Sequence, residues 1–148
     1  AKAVSAKPWM PHVEHLPNLS IKQGTKDFYK KAQLNLSRIR EFLHDEMKAD
    51  REVTHYGAST KGNTLNQCLG LTRHWAKAAA DRDPKKWGRL MSGGDIPIIS
   101  EEESVKDTKT FLILPYAFKE EIMTRLKDTF GWSGKVIVPL PRAEVFHV

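Results

Sequence analysis

The segment HYGASTKGN, His55 to Asn63, limits what this chain can fold into more than any other. A β-prone run, Glu52 to His55, leads into it, and an apolar helical run, Leu65 to Leu71, leads out. A short turn of small residues joining a strand to a helix is the unit from which α/β layers are built. It is also a place where proteins hold phosphate. The first N–H groups of a helix lack carbonyl partners and carry a partial positive charge, so an anion settles against them. Gly57, Ala58 and Gly62 put little or no side chain in its path, Ser59 and Thr60 add hydroxyls, and Lys61 adds a full charge. Tyr56, at the strand end, has two readings: a ring that stacks on a base or meets a sugar, or a core aromatic.

The alternation continues along the chain. Residues 1–26 read as irregular, punctuated by Pro8, Pro11 and Pro17. A long amphipathic helix over Asp27–Lys48 follows, with Phe28, Ala32, Leu36, Ile39, Leu43 and Met47 on one face and Thr25 as its N-cap. That face is expected to pack on the domain or to link it to another. Strands are predicted at Trp75–Ala80, Thr110–Leu114 and Lys135–Val138, with a short apolar run at Ile96–Ile99. Ser100 opens a brief helix in the manner of a capping box. A further helix spans about Ala117–Thr129, with Phe118, Ile122 and Leu126 as its buried stripe. GWSG is a turn, and PLPRAEVFHV closes the chain. Strands alternating with helices imply an α/β fold: a Rossmann-like open parallel sheet sandwiched by helices over residues 27–148, preceded by the long helix.

The 148 residues suit one domain, and the hydrophobic share of 40% suffices for a core. No apolar run has the length of a membrane span, and no signal peptide is visible. A lone cysteine, Cys68, excludes an internal disulfide; among Leu65, Leu69 and Leu71 it reads as a buried, inert thiol, and a reducing cytoplasm is expected. The formal charge of +6 suits an anionic partner. Nucleic acid is not the expected one, since no nucleic-acid module is present and acidic runs such as SEEE interrupt any basic face.

In a parallel sheet, ligands sit beyond the carboxyl ends of the strands. HYGASTKGN, DRDPKK and PYAF all follow predicted strands, so the fold brings them towards one edge. Asp81 and Asp83 lie about twenty residues past the glycine turn, where an acidic side chain commonly meets a ribose hydroxyl; a solvated turn with Pro84 is the other reading. Lys85, Lys86 and Arg89 either guide an anion or form a solvated charge run. Tyr116 and Phe118 are candidate pocket walls, Phe118 with a second reading as core. The glycine pattern is neither GxGxxG nor GxxxxGK[ST], which disfavours a dinucleotide fold and an NTP-hydrolysing loop. No nucleophile–base order or SAM-type acidic-GxGxG loop stands out, and His55 has no orienting partner in the sequence. His12 and His15 flank Glu14 in HVEH, without the further ligands a metal requires.

YGASTKGNTLNQCLGL, DRDPKKWGR, IPIISEEE, FLILPYAFKEEI and SGKVIVPLPRAEV come in an order and spacing that resembles the C-terminal domain of the SAM-dependent sugar C-methyltransferases. The resemblance covers Asp27 to Val145. It implies that this domain holds a nucleotide-diphosphate sugar, with SAM and zinc belonging to upstream domains absent from this chain, and the catalytic base to the SAM-binding domain acting in cis or in trans. It carries a substrate-holding role to Tyr56, Gly57, Ala58, Ser59, Thr60, Lys61, Gly62 and Asn63. The DRDP loop, Asp81 to Pro84, resembles the family's acidic-Arg-Asn-Pro loop. His55 stands where the family usually has glycine, Asp83 where it has asparagine, and MSGGDIPI where it has a TPGT-like lead. On this reading the chain is part of a transferase and inactive alone. The alternative is an interaction or regulatory module that kept the fold without the ligand.

Overall fold

A computed structural model describes residues 23–148. The irregular segment expected before Gln23, the HVEH histidines and any contact made by Trp9 lie outside the described residues. In chain order the elements are α1 (Gln23–Lys48), β1 (Val53–Tyr56), α2 (Thr60–Leu69), β2 (Ala79–Ala80), β3 (Ile98–Ile99), α3 (Glu101–Asp107), β4 (Thr110–Ile113), α4 (Lys119–Phe130), β5 (Lys135–Val138) and β6 (Glu144–His147). The strands form one sheet in the order β3-β2-β1-β4-β5-β6. The first five are parallel, and β6 runs antiparallel to β5. This is the open Rossmann-like sheet that the strand–helix alternation predicts.

The central strands show why they are parallel and central. VTHY and TFLI are buried at every position, as strands covered on both faces must be. One face packs against α1 and α2 through Ile39, Leu43, Leu65, Leu69, Leu112 and Ile137. The other packs against α4 through Tyr56, Phe111, Ile113, Ile122 and Leu126. The closing stretch, for which the sequence predicts no element, forms β6. Too few residues separate Val138 from Glu144 for a crossover, so the chain folds straight back as an antiparallel edge.

Several boundaries differ from the sequence reading. α1 starts at Gln23, which puts Thr25 inside the helix rather than at its cap. The run Trp75–Ala80 contributes only Ala79 and Ala80 as strand, and Ile96–Ile99 only Ile98 and Ile99. A single 3₁₀ turn, Tyr116–Phe118, precedes α4. Ser100 does cap α3, its hydroxyl accepting from Glu103 N–H at 3.1 Å. Phe28 and Phe118, both expected on buried stripes, are 73% and 61% exposed. Cys68 is exposed, because it lies off the face of α2 that carries Leu65 and Leu69.

α1 is fastened by its second half. Asn35 donates to Pro139 O at 2.7 Å and accepts from Ala143 N–H at 2.6 Å. The Arg40 guanidinium reaches the carbonyls of Cys68 and Leu69 at the end of α2, where a cation meets the negative end of the helix dipole. Glu46, 1% exposed, accepts from Thr110 Oγ1 at 2.6 Å, from Arg51 at 2.7 and 2.9 Å, and from the Lys135 ammonium. Burial alone would raise the Glu46 carboxyl; these donors outweigh it and hold the pKa at about 2. Among the described residues, no helix is long and apolar enough to cross a membrane.

Candidate functional site

β1 and β4 are neighbours whose following helices lie on opposite faces of the sheet, α2 on one and α4 on the other. A crevice therefore opens between their carboxyl ends, the topological switch point where ligands of such sheets bind. A cleft of about 290 Å³ occupies that place. Tyr56, Gly57 and Ser59 come from the end of β1 and its turn. Ala80, Asp81 and Arg82 come from the end of β2, and Pro115, Phe118, Glu121 and Ile122 from the segment after β4. A cavity of about 310 Å³ at the amino edge, walled by Arg51, Arg73, Trp75 and Lys77 among others, is of similar size. It lacks the converging helix start and strand-end turns that make the carboxyl edge a ligand site.

The turn is rigidly built. Gly57 has φ +91°, a conformation that favours glycine, and a Cβ added there would stand 2.7 Å from Pro115 Cδ. A Cβ on Gly62 would stand 2.9 Å from Leu114 Cβ. The small residues of this turn thus serve the close packing of β1, α2 and the strand end of β4. Ser59 caps α2, its Oγ accepting from Gly62 N–H at 3.1 Å. The amides of Thr60 and Lys61 stand at the helix start with no helical carbonyl behind them, and the first turn contains no acidic residue. Lys61 and Thr60 are exposed there.

Asp81 fixes the turn from below. Its carboxylate accepts from Ala58 N–H, Asp83 N–H and the Lys86 ammonium, each at 2.9 Å. Burial would raise its pKa, and those donors lower it, so it is held as a carboxylate. Lys86 also donates to Ala58 O at 3.2 Å, which ties the DRDP loop to the glycine turn. Asp83 caps the 3₁₀ turn Pro84–Lys86, accepting from Lys85 N–H at 3.0 Å. Of the residues read from sequence, the cleft brings together Tyr56, Gly57, Ser59, Asp81 and Phe118. Ala58, Thr60, Lys61, Gly62, Asn63, Asp83 and Tyr116 lie outside its walls; Ala58 is part of the buried core, and Tyr116 packs on the α4-side core.

Beneath the cleft lies a charge cluster that the sequence reading did not contain. The Tyr56 hydroxyl donates to Glu101, whose carboxylate also receives Arg125 at 2.8 to 3.1 Å. Arg82 Nε stands 3.5 Å from Glu101, and its Nη1 donates to Glu121 at 3.0 Å. Burial and the adjacent carboxylate push the Tyr56 phenol up to about 12. Burial would raise Glu101, but Arg125 and Tyr56 hold it below the ordinary carboxylate range. The only sequence signal was Arg82 lying between two aspartates. Glu101 read as a helix-start acid, and nothing local links it to Arg125.

His55 has no orienting partner in the structure either. It sits inside β1, 0% exposed, on the sheet face opposite Tyr56, and neither ring nitrogen has a partner. Enclosed there, it has no route for exchanging a proton with a ligand in the cleft. Among the described residues, no three His, Cys, Asp or Glu side chains are grouped to hold a metal ion.

Comparison with known proteins shows the family. The C-methyltransferase C-terminal domain family matches residues 7–141. The C-methyltransferase NovU of Streptomyces niveus is 30% identical over 110 residues, covering 74% of this chain and 26% of that protein. The chain thus spans about a quarter of the length of that relative. With a switch-point cleft on a Rossmann-like sheet and a family match over nearly its whole length, the chain belongs to the C-methyltransferase C-terminal domain family.

Proposed function

We propose that this domain holds a nucleotide-diphosphate sugar for C-methylation. The observation that carries the reading is the cleft at the β1–β4 switch point, whose walls include Ser59, the N-cap of α2, and Arg82. The diphosphate meets the helix start and the cations, and the base or sugar lies against Tyr56, Pro115 and Phe118. S-adenosylmethionine supplies the methyl group from a SAM-binding domain in cis or in trans. This chain's own turn does not fit that donor: it has no acidic-GxGxG loop, and Pro115 fills the space beside Gly57. The protein's own residues bind and orient the substrate and leave proton removal to the SAM-binding domain. The functional compartment is the cytoplasm.

Calorimetric titration with thymidine and uridine diphosphates tests this. Saturable binding is expected, weakened about two- to fivefold in Lys61→Ala, the effect of one exposed cation at a helix start. Absence of binding at millimolar ligand, in wild type and variant alike, rejects the reading. A second reading, an interaction module, draws on Phe28, Tyr29 and Leu34, apolar side chains exposed on the first half of α1.

A further inference from the structure

We infer that Arg82 is the anion-binding side chain of the cleft, and that Glu121 occupies it in the free protein as a stand-in for the ligand's phosphate. This rests on the substrate-holding reading above and adds to it the contact and its gate. Arg82 comes from the loop after β2 and Glu121 from the first turn of α4, and both are walls of the same cleft.

The charge arrangement leaves the outer face of Arg82 available, because buried Glu101 does not depend on it alone. Buried Glu101 already has a bidentate partner in Arg125, with Nη2 to Oε2 at 2.8 Å and Nε at 3.0 and 3.1 Å, and it also accepts from Tyr56. Arg82 is the second, longer ion-pair partner of Glu101, through Nε at 3.5 Å, while its Nη1 turns outward and donates to Glu121 at 3.0 Å. That bond joins side chains that are 48% and 61% exposed, so water competes for both and the pair is weak. A planar guanidinium offers several donors in a fork that matches phosphate oxygens bidentately. A diphosphate entering the cleft carries more charge than one carboxylate and takes the fork, while Glu121 turns out to solvent. Each binding event therefore displaces one internal ion pair, and Glu121 lowers affinity for the anion without touching the apolar part of the ligand.

The experiment is calorimetry at fixed ionic strength with uridine diphosphate, thymidine diphosphate and the two parent nucleosides. Wild type is compared with Glu121→Gln, Arg82→Gln, Arg82→Lys and the Glu121→Gln/Arg82→Gln double variant, and thermal unfolding confirms that each is folded. Glu121→Gln is expected to bind diphosphates up to about fivefold tighter, the scale of one exposed ion pair. Arg82→Gln is expected to bind them about tenfold or more weaker, the scale of a charged hydrogen bond, with Arg82→Lys in between. Nucleoside binding should not change, and the double variant should show no gain over Arg82→Gln. Wild type that binds no diphosphate removes the substrate-holding reading and this one with it. Wild type that binds, with Arg82→Gln unchanged, overturns only the anion-binding role. Unchanged or weaker binding by Glu121→Gln overturns the stand-in.

Discussion

In the middle of β1, His55 carries an ionisable ring with no exposed surface and no partner at either nitrogen. Burial alone lowers its pKa from 6.5 to about 4, because a charge there would have neither water nor a counter-ion. The unfolded chain takes up the proton near pH 6.5, whereas the folded chain resists it down to about 4. Between those values the unfolded state binds more protons, so stability falls as the pH drops through that window, by on the order of 3 kcal/mol in full. Above it the group has no effect. Glu46 acts in a lower window: its contribution is complete above 4.5 and is lost as the pH falls towards about 2. Denaturant unfolding across a pH series separates the two. His55→Leu is expected to be at least as stable as wild type at pH 7 and to flatten the slope between 6.5 and 4, leaving the lower limb in place. A wild-type curve already flat from pH 6.5 to 4 would contradict the neutral, enclosed ring.

The long helix shows what periodicity gives at the scale of an element and what it withholds. Phe28, Leu36, Ile39 and Leu43 follow the same three- and four-residue steps, yet Ile39 and Leu43 are 0% exposed while Phe28 is 73% exposed. The stripe was legible because spacing is local; where the domain surface ends beneath it depends on β5 and the segment after it, which supply the Pro139 and Ala143 partners of Asn35. Leu43→Ala is therefore expected to cost about 2 to 4 kcal/mol, the cost of the cavity left when a fully buried leucine is cut back to alanine. Phe28→Ala should change stability by less than about 0.5 kcal/mol, as for an exposed site. Equilibrium unfolding of both variants checks this, and equal losses would mean that the first half of the helix is packed as tightly as the second. Other elements were hidden for related reasons. Phe118 fits the α4 stripe, but a 3₁₀ turn rotates it outwards. Trp132 sits in a glycine-rich turn, yet it is 6% exposed, with its indole N–H donating to Thr108 O at 2.8 Å.

At the scale of the whole molecule, strand–helix alternation was enough to give the layers and to place the glycine turn at the ligand edge, since parallel strands all end on one side. The cleft's charges were not legible. Tyr56, Arg82 and Glu101 come from three separate segments and Glu121 and Arg125 from α4, and only the order of strands around β1 brings them together. On the proposed reading the chain supplies the substrate cleft and a separate SAM-binding domain supplies the methyl group. Purified alone and given methyl-labelled S-adenosylmethionine with a thymidine- or uridine-diphosphate deoxysugar, it is expected to bind the sugar nucleotide and transfer no label. Added to a SAM-binding methyltransferase domain of the same family that lacks its own C-terminal part, it should restore transfer. Arg82→Gln should then raise the KM for the sugar nucleotide about tenfold, with kcat changed far less, because a remote phosphate contact holds substrate and transition state alike. Label transferred by the isolated chain would place the donor site and the base within these residues after all, and would overturn the assignment of this cleft to substrate holding alone.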